Sequence, residues 1–183
     1  MDAFLTSTAV VAIAEMGDKT QLLSLLLAAK FRNKSAIVLG ILVATLLNHA
    51  ASAWLGAWLV GFVSSSVGHW LLAGSFILVG LWLLVPDKEE AIGSRFDQYG
   101  AFVVSLVLFF LAEIGDKTQV ATVLLAAEFQ SVVWVTAGTT LGMLAANVPV
   151  VYLGARLMEK IPFQLTRWLA AALFILMGVL ALL

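Results

Sequence analysis

The segment AEMGDKTQ at residues 14–21 recurs almost unchanged as AEIGDKTQ at residues 112–119. The likeness extends well beyond this motif, because residues 1–85 align with residues 99–183 without a gap and about a third of the aligned positions are identical. Two unrelated apolar sequences do not share a block of charged and polar residues in this way, and self-similarity at a fixed spacing is the mark of a repeated structural unit. The chain is therefore predicted to contain two copies of one unit.

The composition predicts that these units lie in a lipid bilayer. Hydrophobic residues make up 62% of the 183 positions and charged residues 11%, and the mean hydropathy is +1.06. A soluble domain usually has about a quarter of its residues charged. The net charge of −1 gives no indication of a nucleic-acid partner. The absence of cysteine excludes disulfides and thiolate metal ligands.

Six stretches are apolar and long enough to cross a bilayer core about 30 Å thick, which takes roughly 20 residues of helix. They comprise residues 3–29, 35–62, 69–85, 100–127, 132–157 and 165–183. We therefore predict an all-α integral membrane protein in which repeat one (1–85) and repeat two (99–183) each contribute three transmembrane helices, joined by a polar linker at 86–98. Because three is an odd number, the second repeat must have inverted topology, as in many secondary transporters.

The basic residues predict how the chain is oriented. Outside the two motifs, all of them fall in or beside the first, third and fifth connections between predicted helices: Lys30, Arg32, Lys34, Lys88, Arg95, Arg156, Lys160 and Arg167. These connections share one side of the membrane, which the positive-inside rule identifies as the cytoplasm. The linker is then cytoplasmic and both termini lie outside the cytoplasm. The N-terminal run lacks the basic region and cleavage pattern of a signal peptide, so we expect a retained helix.

The motifs place ionisable residues in the middle of two apolar helices. Such a residue at the bilayer centre costs about 2.5–3.5 kcal/mol, so these groups should face the interior of the bundle. A Glu and an Asp three residues apart project from one face of a helix, and the inverted repeat brings two such faces together. The expected product is a cluster of four carboxylates: Glu15, Asp18, Glu113 and Asp116. Oxygen-rich sites of this kind suit manganese, magnesium or calcium ions.

The lysines of the motifs adjust the charge of this cluster. Lys19 and Lys117 follow Glu15 and Glu113 by four residues, the favourable order for an ion pair within a helix. Four acids and two lysines leave a formal charge of −2. One divalent ion or two protons would neutralise it, so the charge balance suits exchange of a divalent cation for protons.

Other residues are candidates for secondary ligands or for gating. Gly17 and Gly115 permit close helix approach or local unwinding, which would release backbone carbonyls as ligands. The polar and charged side chains that could contribute are Gln21, Gln119, Lys19, Lys117, Thr20, Thr118, Asn48, His49 and Asn147. For the last three, hydrogen bonds between helices are the simpler role.

Three other interpretations of the motifs remain open. The charged groups could form a buried salt-bridge network that only holds helices together, although buried ion pairs are weak evidence for stability. They could line the filter of a divalent-cation channel. They could also form the acid/base pair of a membrane-embedded hydrolase, with Asp18 and Asp116 sharing a proton. Against the hydrolase, two nearly identical motifs offer no difference in environment between an acid and a base.

The doubled Glu-x-Gly-Asp-Lys-Thr resembles the signature of the uncharacterised-protein-family-sixteen membrane proteins, which include Golgi manganese/calcium transporters and bacterial manganese exporters. That signature is Glu-x-Gly-Asp-(Lys/Arg)-(Thr/Ser), once in each three-helix repeat, and both copies here match it. The resemblance covers essentially the whole chain, including the charged central linker.

The resemblance implies a secondary active transporter and no enzyme. Its substrates would be Mn²⁺, and in some members Ca²⁺, exported from the cytosol in exchange for protons, without a prosthetic group. The metal-binding acids of the family correspond to Glu15, Asp18, Glu113 and Asp116. The compact form resembles that of bacterial members, so we expect a multi-pass protein of the bacterial inner membrane, and an oligomer is compatible with it.

Overall fold

The computed structural model describes residues 1–62, 65–85, 99–154 and 162–182, and within these ranges its regular structure is entirely helical. The prediction of an all-α protein is thereby confirmed, whereas the predicted linker at 86–98 lies outside the described residues. The helices are α1 (Asp2–Glu15), α2 (Lys19–Lys30), α3 (Lys34–Val60), α4 (Ser65–Leu83), α5 (Ala101–Glu113), α6 (Lys117–Phe129), α7 (Val132–Leu153) and α8 (Phe163–Leu180).

Two helices of the described chain, α3 and α7, are long and apolar enough to cross a membrane by length and composition alone. Three further apolar helices are shorter, at Val67–Leu83, Ala101–Glu113 and Gln164–Leu180. The count of six membrane spans therefore stays a prediction.

The first and fourth predicted spans are each broken at the motif, which corrects the expectation of continuous helices at 3–29 and 100–127. The glycine in each break has a positive φ, 86° at Gly17 and 74° at Gly115. An L side chain is strained in this left-handed region, whereas glycine adopts it without a steric penalty. The unwinding that these glycines permit is therefore present, and it ends one helix and starts another at each motif.

The helices of the two units pack against each other in a reciprocal pattern. Helix α1 lies along α7, and α5 lies along α3. At the first contact a Cβ added to Gly138 would lie 2.5 Å from the backbone oxygen of Phe4, and at the second a Cβ added to Gly40 would lie 2.7 Å from that of Phe102. Gly40 and Phe4 align with Gly138 and Phe102 in the repeat. The same close backbone contact thus occurs twice with the units exchanged.

A third contact joins equivalent helices, because α4 packs against α8. Phe76 and Phe174 are fully buried, occupy equivalent positions of the repeat and contact each other, with ring centroids 6.1 Å apart. When two units are related by a pseudo-two-fold axis, a residue that contacts its own counterpart lies close to that axis. The two halves are thus arranged around this aromatic pair.

Large apolar side chains cover much of the outer surface of the described residues. Trp54, Trp58 and Trp168 are 61%, 49% and 59% exposed, and numerous exposed leucines accompany them. Soluble monomers rarely expose apolar surface on this scale, whereas lipid tails solvate it. Several polar side chains are instead buried inside the bundle, among them Glu15, Thr20, Glu113 and Thr118 of the two motifs.

Candidate cation site

The candidate site forms where the two helix breaks approach each other. Glu15 is the last residue of α1, Glu113 is the last of α5, and Asp116 is the residue that caps the start of α6. All three are buried, with exposed fractions of 0%, 0% and 4%. One oxygen of each carboxylate lies within 4.8 Å of the other two. Hard divalent cations bind oxygen at about 2.0–2.6 Å, so one ion can contact all three.

The fourth predicted carboxylate, Asp18, lies beside this trio of Glu15, Glu113 and Asp116 and not within it. It is half-buried and lines a small cleft together with Asp116, Lys117 and Arg167. The expectation that the Glu and Asp of one motif share a helical face is wrong. The helix ends after the Glu, and Asp18 has an extended backbone with φ −87° and ψ 168°, so the two side chains do not follow helical geometry.

The threonines of the motifs orient the glutamates. Thr20 Oγ1 donates to Glu15 Oε2 at 2.5 Å, and Thr118 Oγ1 lies 3.0 Å from Glu113 Oε2 and 3.3 Å from Asp116 Oδ2. Each threonine lies in the first turn after a break, so its hydroxyl turns back to the carboxylate before the break. Partners of this kind fix ligand orientation in metal sites, and losing one typically costs 10- to 100-fold in affinity.

The other oxygens of the two glutamates are available to a ligand. Glu15 Oε1 and Glu113 Oε1 are buried and have no hydrogen-bond partner among the described residues. Buried polar atoms are nearly always hydrogen-bonded, and an exception needs an explanation such as a site for an ion. Both atoms belong to the carboxylate trio, so a cation among the three side chains would supply the missing partner.

Lys19 pairs across the two units. Its Nζ lies 2.8 Å from Asp116 Oδ1, which corrects the expected pairing with Glu15 four residues earlier. That rule requires both residues on one helix, and the break places them on α1 and α2. Lys117 Nζ donates to the backbone oxygen of Val85 at 2.5 Å. Three carboxylates and the one ammonium of Lys19 carry a formal charge of −2 when all are ionised.

His49 lies at the edge of the trio. Its Nε2 is 3.9 Å from Glu113 Oε2, which is too long for a hydrogen bond. The imidazole is fully buried, and neither ring nitrogen has a hydrogen-bond partner among the described residues. Of the polar residues predicted on α3 and α7, His49 is thus the one that reaches a carboxylate of the trio.

The two asparagines join helices. Asn48 Nδ2 donates to the backbone oxygen of Phe110 at 3.1 Å. Asn147 Oδ1 accepts from Ser24 Oγ at 2.8 Å, and its Nδ2 donates to the backbone oxygen of Met143 at 3.1 Å. The bond of Asn48 connects α3 with α5 and the bond with Ser24 connects α2 with α7, whereas the bond with Met143 lies within α7. The first two are the interhelical role that the sequence left open for both asparagines.

The glutamines support the breaks. Gln21 Oε1 accepts from the backbone N–H of Gly17 at 2.9 Å, and Gln119 Oε1 accepts from that of Gly115 at 2.6 Å. Gln21 Nε2 also donates to the backbone oxygen of Ala146 at 2.8 Å. A broken helix leaves backbone groups without partners, and these side chains satisfy one in each break. Their oxygens therefore contact backbone amides in this state of the protein.

Two residues near the site were missed by the sequence analysis. Thr166 Oγ1 donates to the backbone oxygen of Met16 at 2.9 Å, a carbonyl inside the first break. Its counterpart in the repeat is Gly68, so a search for residues common to both units passes over it. Arg167 lines the cleft beside Asp18, whereas the sequence analysis counted it only as a basic residue near a connection.

Known proteins resemble the chain over most of its length. The model of a family described as "Divalent cation/proton antiporter GDT1" matches residues 3–91 and 101–183. A Vibrio cholerae protein named "Putative manganese exporter" is 48% identical over 97% of this chain and 89% of its own length. A GDT1-like protein of Synechocystis is 27% identical over 99% of this chain and 97% of its own length. GDT1-like protein 4 of Oryza sativa subsp. indica is 30% identical over 87% of this chain and 66% of its own length. No solved structure matches.

Proposed function

The chain belongs to the GDT1 family of divalent cation/proton antiporters, and from this premise we propose that it exports Mn²⁺ from the cytosol in exchange for protons. The resemblance that the doubled motif indicated is confirmed. The family consists of cation transporters and is not an enzyme family, which agrees with the prediction of a membrane transport protein. The choice of Mn²⁺ over Ca²⁺ is supported by the name of the Vibrio cholerae relative.

The observation that carries the proposal is the buried carboxylate trio. Glu15 comes from one unit and Glu113 and Asp116 from the other, and each glutamate keeps one oxygen without a partner among the described residues. Buried carboxylates are costly unless a cation or a proton neutralises them. Hard divalent cations favour such oxygen ligands. A binding site for one divalent cation is therefore the function that this geometry supports best.

The charge of the site supports exchange. The trio and Lys19 carry −2 when ionised, so either one Mn²⁺ or two protons restores neutrality. Metal and protons would then occupy the same oxygens in turn, and each would leave only when the other is ready to bind. Coupling follows from this competition without a separate proton pathway through the membrane.

We further propose six membrane spans in two inverted units, repeat one at 1–85 and repeat two at 99–183. Helices α1 and α2 together form one broken span, as do α5 and α6, and the remaining four helices form one span each. The reciprocal contacts of α1 with α7 and of α5 with α3 support a two-fold relation between the units. Three spans in each unit would make that relation an inversion, because three is an odd number. The protein would lie in a bacterial inner membrane with both termini outside the cytoplasm and the linker inside.

A transporter fits the site better than a channel. Glu15 and Glu113 have no exposed surface in the described structure. A channel filter stays accessible to ions from both sides while it conducts, whereas a transporter passes through states in which the bound ion is enclosed. The helix breaks provide backbone that can move without unfolding a continuous helix, as in other carriers with discontinuous helices.

Reconstituted liposomes would test the proposal. The full chain is inserted into vesicles that contain a pH dye and a manganese indicator, with the membrane potential clamped by potassium and valinomycin. Added Mn²⁺ should enter while protons leave, so the lumen becomes alkaline at a rate that follows Mn²⁺ entry. Glu113→Gln and Asp116→Asn should reduce both signals at least tenfold, because each removes a charged ligand. Asp2→Asn is the matched control, since Asp2 is exposed in the first turn of α1.

The other outcomes identify the alternatives. Mn²⁺ entry without a proton signal would favour a channel. A proton signal with Ca²⁺ and none with Mn²⁺ would keep the antiporter and change its substrate. Undiminished flux in both Glu113→Gln and Asp116→Asn would show that the carboxylate trio is not the transport site.

A further inference from the structure

His49 is a buried polar side chain that the helix bundle leaves unsatisfied. Its exposed fraction is 0%, and both ring nitrogens lack a hydrogen-bond partner among the described residues. A neutral imidazole has one donor and one acceptor, and burying both without partners is unfavourable. The polar residue before it, Asn48, has a partner in the backbone oxygen of Phe110. The imidazole is therefore unsatisfied although the residue before it on α3 is satisfied.

The position of His49 suits a ligand of the same ion that the trio would hold. Its Nε2 lies 3.9 Å from Glu113 Oε2. Two ligand atoms on one divalent cation, each at about 2.0–2.6 Å from it, lie up to roughly 4–5 Å apart. The distance therefore falls within the range for two ligands of one ion, although it is too long for a direct hydrogen bond. Glu113 Oε1 and Glu15 Oε1 lie in the same site and also lack partners among the described residues.

We propose that His49 is a nitrogen ligand of the transported cation and makes the site prefer transition-metal ions such as Mn²⁺ over Ca²⁺ and Mg²⁺. This assignment rests on the proposed function and names the residue that selects its substrate. Ca²⁺ and Mg²⁺ take oxygen ligands, whereas transition-metal ions, Mn²⁺ among them, also accept an imidazole nitrogen beside carboxylates. The carboxylates alone provide a site that any hard divalent cation can occupy, and the imidazole adds the discrimination.

Only one of the two units supplies this nitrogen. Asn147 occupies the position in repeat two that His49 occupies in repeat one, and its amide already bonds Ser24 and Met143. The units are therefore alike in their acids and unlike in this residue. The acids are shared by both repeats, whereas the residue that we propose to set selectivity, His49, is present in repeat one alone.

Pulsed electron paramagnetic resonance on Mn²⁺ bound to the wild-type protein provides a direct test. The full chain is purified in detergent without a histidine tag and given Mn²⁺ below one equivalent, so that the tightest site fills first. A coordinating imidazole produces ¹⁴N modulation of the Mn²⁺ signal. Labelling the protein with ¹⁵N-histidine should replace this modulation by the ¹⁵N pattern. The chain has two histidines, and His69→Gln should leave the signal unchanged because His69 is exposed on α4.

His49→Gln then tests the selectivity. The glutamine amide has a similar reach and offers oxygen in place of nitrogen. The ¹⁴N modulation should disappear, and the concentration of Ca²⁺ that halves Mn²⁺ flux should fall about tenfold or more relative to wild type. Flux driven by Ca²⁺ alone should be retained or increased. A purely structural histidine would weaken both ions alike and leave their ratio unchanged.

The results separate this inference from the proposed function. A wild-type protein that exchanges Mn²⁺ for protons but shows no histidine nitrogen on the metal overturns the role of His49 alone. A protein with Mn²⁺–nitrogen modulation and no transport supports the ligand and contradicts the transport proposal. A wild-type protein that binds no Mn²⁺ contradicts both. An unchanged ratio of Ca²⁺ to Mn²⁺ in His49→Gln overturns the selectivity.

Discussion

Lys19 of the first motif forms an ion pair with Asp116 of the second, with 2.8 Å between Nζ and Oδ1. The pair links the two units at the centre of the candidate site. It also places an ammonium beside three carboxylates and so lowers their mutual repulsion. One residue of the first motif therefore sets the charge of a site to which the second motif contributes two acids.

Replacing Lys19 by Met should make the empty protein less stable and more responsive to metal. The change keeps the shape of the side chain and leaves Asp116 without its cation among the acids of the trio. The free energy of unfolding should fall by roughly 1–3 kcal/mol, less than for a fully buried pair because Lys19 is 26% exposed. Thermal unfolding in detergent, with and without Mn²⁺, measures this. Stabilisation by Mn²⁺ should be larger than in wild type, since the site is more negative.

The control for this change is Lys30→Met, which removes an exposed lysine at the end of α2. It should leave both the transition temperature and the response to Mn²⁺ close to wild type. A smaller response to Mn²⁺ in Lys19→Met than in wild type would contradict the placement of Lys19 beside the cation.

Thr118→Val should weaken cation binding without unfolding the protein. Valine has nearly the same shape but cannot donate to Glu113 and Asp116, which the threonine hydroxyl reaches at 3.0 and 3.3 Å. The concentration of Mn²⁺ that gives half-maximal flux should rise about 10- to 100-fold. Thr139→Val is the control, because that hydroxyl bonds only carbonyls of its own helix at positions 135 and 136. Equal effects of the two changes would argue against a role for Thr118 in orienting the acids.

Gly115→Ala should strain the second break. The φ of 74° is unfavourable for alanine by about 1–2 kcal/mol, and no other group lies within 4 Å of the added Cβ. The effect therefore reports backbone conformation alone. We expect slower Mn²⁺ flux together with a loss of stability of about that size. Gly74→Ala is the matched control, since its Cβ also meets nothing within 4 Å and its backbone is helical. Wild-type flux in Gly115→Ala would show that the break tolerates a right-handed conformation.

Gly40→Ala and Gly138→Ala should destabilise the protein by similar amounts. Each Cβ would lie under 3 Å from a backbone oxygen of the facing helix, at Phe102 and Phe4 respectively. Backbone cannot move aside as a flexible side chain can, so we expect about 1–3 kcal/mol for each. Unfolding of the two variants in denaturing detergent measures the pair. A large effect in one and none in the other would mean that the interfaces are not equivalent.

The sequence was sufficient to predict the helical fold and three acids that the structure brings together. These inferences depend on properties that act over long stretches, such as apolar composition, or on residues shared by both units. The trio of Glu15, Glu113 and Asp116 was predictable because charged groups are costly at lipid-facing positions. That cost is the same whether the backbone at the motif is helical or broken.

The sequence analysis did not predict the local geometry at the motifs. It applied helical spacing to Glu15, Asp18 and Lys19, whereas the chain leaves the helix at Gly17. A glycine in an apolar helix permits a break without requiring one, so only the packed structure decides between them. That Asp116 joins the trio and Asp18 does not was also beyond reach, because nearly identical motifs give no reason for the two aspartates to differ.

The meeting of the two breaks gives the proposed transport one site in each molecule, and not one site for each motif. Because Glu15 and Glu113 belong to a single cluster, duplication of the motif has not doubled the capacity of the chain. Each copy of the motif supplies part of one site, and residues 1–62, 65–85, 99–154 and 162–182 contain no second cluster of this kind. Loss of either Glu15 or Glu113 should therefore impair the whole site, because the remaining intact copy of the motif does not replace the missing acid.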